Sequence, residues 1–446
     1  MRNTSKILVF AILLSILGSA CKNTNPNYQQ DALNPELTHR SVRKITDIIV
    51  YDIFPPMIAS RIYAYSTIAG YEAMRYGSLE YQSLATQLTG LEAAPKPDPS
   101  KTYCFPLASA QAMLLVGKKL TFSDDEMDKY ITLVQSDFKK LNMPNDVFKN
   151  SIEYGEIISK HILAWADKDN YKQMRTMPKY SINDNPATWK PTPPMYADAL
   201  EPHWKKLRPF TLDSAAQFRP AAPQKFSTDK KSPFYKEALE VLNIVKGNDT
   251  LAHATALFWD DNAFAARVEG HVMMSSKKIS PGGHWLNIAA TAAKQSKLDA
   301  MRSMEMYVRL SIAIADGFIS CWDEKYRSCL IRPETYITQY INHDFIPYIQ
   351  TPPFPEHTSG HSVISGASAT VLTNYFGDNY AFTDSTELIF GIPNRDFKSF
   401  QAAAEQAAIS RMYGGIHYRT GMTEGLKQGR RVGDYVLTKL QTKTKK

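Results

Sequence analysis

The chain has 446 residues, a net charge of +8 and 22% charged residues. That length can bury a large core and suits one large domain or two medium ones. The positive excess lies in short runs (Lys139-Lys140, Lys230-Lys231, Lys443 to Lys446) that read as solvated faces rather than a nucleic-acid surface, and no zinc-type cysteine spacing, P-loop or Gly-x-Gly-x-x-Gly turn is present.

The chain opens on a targeting pattern. Arg2 and Lys6 precede an apolar run, Ile7 to Leu17, of signal-peptide rather than membrane-spanning length. Gly18-Ser19-Ala20 then lead to Cys21, which resembles a bacterial lipoprotein signal with Cys21 as the lipidated first residue. Residues 1–20 are therefore expected to be removed, which leaves a charge of +8 − 2 = +6. An exported lipoprotein held on the periplasmic or outer-membrane side of a bacterial membrane is the expectation, and an ordinary cleaved signal is the alternative. No later stretch is long and apolar enough to span a bilayer. Export also permits a Cys321–Cys329 disulfide, which would brace the loop carrying Lys325; free thiols at Cys104, Cys321 and Cys329 are the other reading.

Helical periodicity dominates the rest of the chain. Val42 to Tyr76 is apolar at helical intervals, broken at Pro55-Pro56. Ser123-x-x-Glu126 reads as a capping box opening a helix with Met127, Ile131, Val134, Phe138 and Leu141 on one face. Another helix covers Ile152 to Trp165. These make an N-terminal helical region, 21–170. The stretch 171–232 is rich in proline and aromatics and is expected to be irregular backbone wrapped on the helical body. Helices resume at Ser232-Pro233, a cap with a first-turn proline, and the first stops near Gly247. From Leu298 through Met301, Met304, Val308, Ile312, Ala315 and Ile319 runs one long buried face, ending near Trp322 and delivering Lys325. His361 to Phe376 and Ser399 to Tyr413 complete a C-terminal helical region, 233–446. The fold class is all-α, built of helical bundles.

Three segments carry the chemistry: Lys325-x6-Arg332-Pro333, Thr358-Ser359-Gly360-His361-Ser362 and Ser410-Arg411-x5-His417. Three fixed cations in one cavity are costly unless they face a multiply charged anion. Ser359-Gly360-His361 precedes a helix, so its N–H groups and dipole add to the grip. Two histidines divide the labour, one bonding the central atom and one moving a proton.

The triple pattern resembles the superfamily of type-2 phosphatidic acid phosphatases and vanadium-dependent haloperoxidases. Trp189-Lys190-Pro191-Thr192-Pro193-Pro194, Pro202-His203-Trp204, Arg208-Pro209-Phe210, Gln217-Phe218-Arg219-Pro220 and Phe258-Trp259-Asp260-Asp261 resemble its bacterial haloperoxidase-like branch. The resemblance implies an oxyanion cradle of Lys325, Arg332, Ser359, Gly360 and Arg411, with vanadate, or phosphate in the same place, on His417. It implies proton transfer by His361 and halide-pocket aromatics at Trp322 and Phe354, as in chloroperoxidases. The expected partners are hydrogen peroxide, a halide and an organic acceptor. His357 is expected to pack or hydrogen-bond only.

Two other functions share these residues. A phosphatase would attack phosphorus with His417 and protonate the leaving oxygen with His361. The superfamily's phosphatases usually carry an aspartate four residues after that histidine, where this chain has Gly421, unless Asp260 or Asp261 substitutes. A lipoprotein that binds oxyanions without turnover is the third reading. The expected activity is oxidation of bromide, and of chloride in addition, with hydrogen peroxide.

Overall fold

In the computed structural model, which describes residues 24–444 apart from 264, 270 and 276, Pro55-Pro56 separates the first two long helices. They are α1 (Glu36–Tyr51) and α2 (Pro56–Met74), the second with proline in its first turn, where no N–H is missed. The signal-like residues and Cys21 lie outside the described residues. With α3 (Phe105–Leu120), α4 (Asp124–Lys139) and α5 (Asn145–Ala166) these helices form an N-terminal layer in which α3 packs on both α2 and α5. Met127, Ile131, Val134 and Phe138 of α4 are buried as their spacing predicts. The capping box is not formed: the Ser123 hydroxyl donates to Asp52 instead of accepting from the first turn of α4.

The second half contains α6 (Pro233–Lys246), α7 (Thr250–Phe258), α8 (Pro281–Gln295), α9 (Ala300–Ser328), α10 (Pro333–Tyr340), α11 (Gly360–Phe376), α12 (Phe400–Tyr413) and α13 (Arg419–Lys439). Ser232, Ser280, Asp299, Ser359 and Ser399 each cap a helix through the side chain. Two antiparallel hairpins are the strand content of the described residues: β1 (Ala266–Glu269) with β2 (Val272–Ser275), and β3 (Phe382–Asp384) with β4 (Arg395–Phe397).

α9 is the axis of the molecule. At about 1.5 Å per residue its 29 residues span about 44 Å, and it packs on α2 on one side and on α11 and α13 on the other. It is buried nearly all round, the mark of a helix inside a large core. It runs past Trp322 to Ser328, so Lys325 lies within its last turns rather than in a loop.

α13 meets α11 at backbone contact. Gly425, Gly429 and Gly433 form a stripe at helical spacing. A Cβ on Gly429 would stand 2.0 Å from the Val363 carbonyl oxygen, and one on Gly433 would stand 2.9 Å from that of Ala367. The stripe fixes where α11 begins. The segment 171–232 contains only short helical turns at Tyr171–Met174 and Trp204–Lys206. It is pinned to α9 by buried Asp316, which accepts from the Phe210 and Thr211 N–H groups at 2.7 Å each and from the Thr211 hydroxyl at 2.6 Å.

Cys104, Cys321 and Cys329 are free thiols. The bridge entertained for Cys321 and Cys329 is not made. Cys321 points into the core toward the Thr358 carbonyl, and Cys329 terminates α9 in a left-handed conformation beside the Tyr180 hydroxyl.

Candidate active site

Three chain segments separated by α10 and by α11 with α12 meet in one cleft. It is lined by Trp322, Phe354, Gly360, His361, Arg411 and His417, with Leu200 of the irregular segment and Asp261 contributing. Lys325 and Arg332 lie behind this wall, fully buried, and Arg411 is 1% exposed. All three cations bond to backbone carbonyls. Lys325 Nζ donates to Pro355 and Glu356 (2.8 and 3.0 Å), Arg332 to Phe354 and Ile416 (2.8 and 2.9 Å), and Arg411 Nη1 to Trp259 (2.7 Å). Burial pushes Lys325 down to about 7 and Arg332 down to about 10, and it lowers Arg411 too. Concentrated charge with so little compensation needs an anion.

Three buried nitrogens at the cleft have no hydrogen-bond partner among the described residues: Arg332 Nη2 and Arg411 Nε, which are donors an anion would use, and His361 Nε2, which lies 3.6 Å from Asp261. Each buried donor left in this state costs about 1–3 kcal/mol. Ser359 caps α11, accepting from Ser362 N–H, which leaves its own O–H to donate. Gly360 opens the helix, so its N–H is one of the groups without an intrahelical partner. A Cβ there would lie 3.7 Å from the Trp322 ring.

His417 is gripped at both nitrogens. Nδ1 lies 2.7 Å from Glu356 Oε1, and Nε2 lies 3.0 Å from Arg332 Nη1. The carboxylate accepts and the guanidinium donates, which fixes the proton on Nδ1 and the lone pair on Nε2. Burial, with Arg332 and Lys325, holds His417 well below the ordinary histidine range, so the ring is neutral. His361 is held down likewise by burial, Arg411 and His284.

Neither Asp260 nor Asp261 serves as the carboxylate of His417. Asp260 pairs with Lys278 (2.6 Å), while Asp261 accepts from His284 (2.9 Å) and faces His361 at 3.6 Å. The carboxylate bonded to His417 is that of Glu356. The sequence signal for it was an acidic residue set among Phe354, Pro355 and the Thr358-Ser359-Gly360 loop. His284 also lacked an interpretable spacing. It is stacked on Trp259 with centroids 4.5 Å apart and bonded to Asp261 and Asp384. Burial opposes its charge, but those two carboxylates outweigh burial and hold it well above the ordinary range. Asp261, His284 and Glu387 offer ligand atoms within 4.8 Å of one another, yet the His284 imidazolium already supplies the positive charge there. His357 Nε2 lies 3.0 Å from the Ala221 carbonyl that accepts from it, outside the cleft lining.

Trp322 and Phe354 face each other with centroids 5.0 Å apart. Lys325 Nζ lies 4.9 Å and the Arg332 guanidinium 5.1 Å from the Phe354 ring. All the residues expected to form the cradle are thus in one place.

Residues 305–446 match the family described as the VCPO second helical-bundle domain. The crystal structure of a bacterial vanadium-dependent iodoperoxidase, described as the first of its kind, is 47% identical. It superposes with a TM-score of 0.87 over 93% of this chain and 98% of that one. Holo and apo forms of a bacterial vanadium-dependent chloroperoxidase share the fold at 14% identity. Their TM-scores are 0.67 and 0.66, over 94% and 87% of this chain and 96% and 95% of theirs. Among curated proteins no relative matches.

Vanadate fits the residues present. A neutral His417 with its lone pair at Nε2 would serve as the ligand, and the unpartnered N–H groups of Arg332 and Arg411 would bond its oxygens. The chain belongs to the vanadium-dependent haloperoxidases, helical oxidoreductases that use bound vanadate and hydrogen peroxide to oxidise halide.

Proposed function

We propose that iodide is the preferred halide of this haloperoxidase. The observation that carries this is the 47% identity, along nearly the whole chain, to a protein named as an iodoperoxidase. The cleft is consistent with it. Trp322 and Phe354 give a polarisable aromatic wall beside buried positive charge, and iodide is the common halide that loses least by leaving water. The same aromatic pair underlies the sequence-based expectation of bromide and chloride oxidation, so relative rates decide the matter.

Bound vanadate supplies a Lewis-acid centre that activates hydrogen peroxide. The protein does the rest. His417 Nε2 would hold the centre, Lys325, Arg332 and Arg411 would neutralise its oxygens, and Ser359 and the Gly360 N–H would hydrogen-bond them. His361, neutral in its buried setting, accepts a proton from incoming peroxide and returns one as product forms. Leu200, Phe318 and Trp322 limit water in the cleft.

The test is kcat/KM for iodide, bromide and chloride on vanadate-loaded protein. Iodide should lead, and a kcat/KM for bromide or chloride equal to or above that for iodide would remove the proposal. One observation favours a second activity in the same cradle. Glu356 supplies His417 with the carboxylate whose absence at position 421 spoke against nucleophilic use. Phosphomonoester hydrolysis by vanadate-free protein, abolished in His417→Ala, would establish it.

For location, the proposal is a lipid anchor at Cys21 on the exported side of a bacterial membrane. Support comes from the charged start, apolar run and small residues before Cys21. No helix of the described residues is long and apolar enough to cross a membrane.

A further inference from the structure

The carboxylate bonded to His417 enters from the loop before α11, while Gly421, in the first turn of α13, carries no side chain. The two facts are one arrangement. Glu356 is fully buried. Its Oε1 accepts from His417 Nδ1 at 2.7 Å and from the Tyr418 N–H at 3.0 Å. Its backbone is held on both sides, the N–H donating to Leu330 O and the carbonyl accepting from Lys325 Nζ, each at 3.0 Å. A Cβ built on Gly421 would lie 2.3 Å from Glu356 Oε1 and 2.9 Å from its Cδ and Oε2. Something must shift at a contact that short, so a side chain at 421 requires the Glu356 carboxylate to leave its present place.

We propose that Glu356 is the positioning residue for His417 and that Gly421 is the space that admits it. On this view the two positions are alternative sources of one carboxylate. An acceptor on Nδ1–H sets the tautomer, leaves the lone pair on Nε2 and raises the ring's strength as a ligand. An aspartate at 421 would begin where Glu356 Oε1 now sits, within reach of the same nitrogen. Because its backbone carbonyl also takes Lys325, Glu356 ties ligand and cation to one short segment.

The inference rests on vanadate binding at His417, and the experiment separates the two. Vanadate affinity is measured by titration calorimetry and 51V NMR on the full chain, with circular dichroism as the check on folding. Wild type, Glu356→Gln, Glu356→Ala, Gly421→Asp and the double variant Glu356→Ala/Gly421→Asp are compared. Wild type should bind; if it does not, the vanadate reading itself fails. Glu356→Gln, which keeps the shape and removes the charge, should weaken binding by about 10–100-fold, the usual cost of losing a ligand's supporting carboxylate. The double variant should recover most of what Glu356→Ala loses, in affinity and in kcat, whereas Gly421→Asp alone should lower the melting temperature. A folded Glu356→Gln that binds vanadate within about twofold of a binding wild type overturns the positioning role. A folded double variant no better than Glu356→Ala overturns the exchange. Should Glu356→Ala not fold, the double variant is judged against Glu356→Gln. A side chain that served only to fill space would give no recovery from position 421.

Discussion

Asp261 lies 3.6 Å from the ring of His361, and its other oxygen takes a 2.9 Å hydrogen bond from His284. The proton-handling histidine therefore has a buried carboxylate beside its Nε2, and that carboxylate is itself held by an imidazolium bonded on its far side to Asp384 at 2.8 Å. A carboxylate at that distance steadies the charge the ring gains during turnover.

Asp261→Asn should lower kcat about tenfold or more while leaving vanadate affinity nearly unchanged, and His361→Ala should cost about 10²–10⁴-fold. Steady-state iodide oxidation alongside vanadate titration separates the two quantities. A parallel loss of affinity in Asp261→Asn would place the aspartate in anion binding instead.

Anion affinity should depend on pH through Lys325. Burial pushes its ammonium down to about 7 in the free site. Below that pH the lysine is charged before the anion arrives; above it, binding must draw a proton. Affinity should thus be highest below about 7 and fall above it, by up to about tenfold per pH unit for a single linked proton. Lys325→Met removes this slope and leaves the titration of vanadate itself. An unchanged slope in that variant would show that the lysine stays charged in the free site.

Asp316 anchors the irregular segment to α9 through two backbone N–H groups and a hydroxyl. Asp316→Ala leaves the two N–H groups buried without a partner, at about 1–3 kcal/mol each. A drop of several degrees in melting temperature should appear by calorimetry, with added loss of activity because Leu200 of that segment lines the cleft. A melting temperature within a degree of wild type would mean that water replaces the carboxylate.

Cys21→Ala tests the proposed anchor. The protein should leave the membrane fraction or fail to mature, as fractionation and immunoblotting would reveal. Undiminished membrane association would rule lipidation at Cys21 out as the cause.

The cradle was legible because its residues come in short segments of fixed internal spacing, and each ends on a helix terminus that sequence marks clearly. Ser359 is a cap, Arg332 precedes a first-turn proline, and Arg411 lies in the last turn of α12. Long-range pairings left no such mark. Glu356 and His417 are 61 residues apart, and no local pattern says that a loop carboxylate will enter where α13 carries glycine. α13 itself was hard to see because the glycines that let it touch α11 weaken the apolar period of the helix. The Ser123 box failed because a tertiary partner, Asp52, outcompeted the local one. His284 was unreadable alone, since its meaning comes from carboxylates on two other segments.

The central claim is that vanadate on His417 drives halide oxidation. Its most direct test is peroxide-dependent triiodide formation by wild type and His417→Ala, each with and without vanadate. Wild type should oxidise iodide only when vanadate is present, and His417→Ala should not do so at any vanadate concentration that leaves wild type saturated. Iodide oxidation that persists in His417→Ala, or a vanadate-loaded wild type that oxidises no halide, would contradict the account.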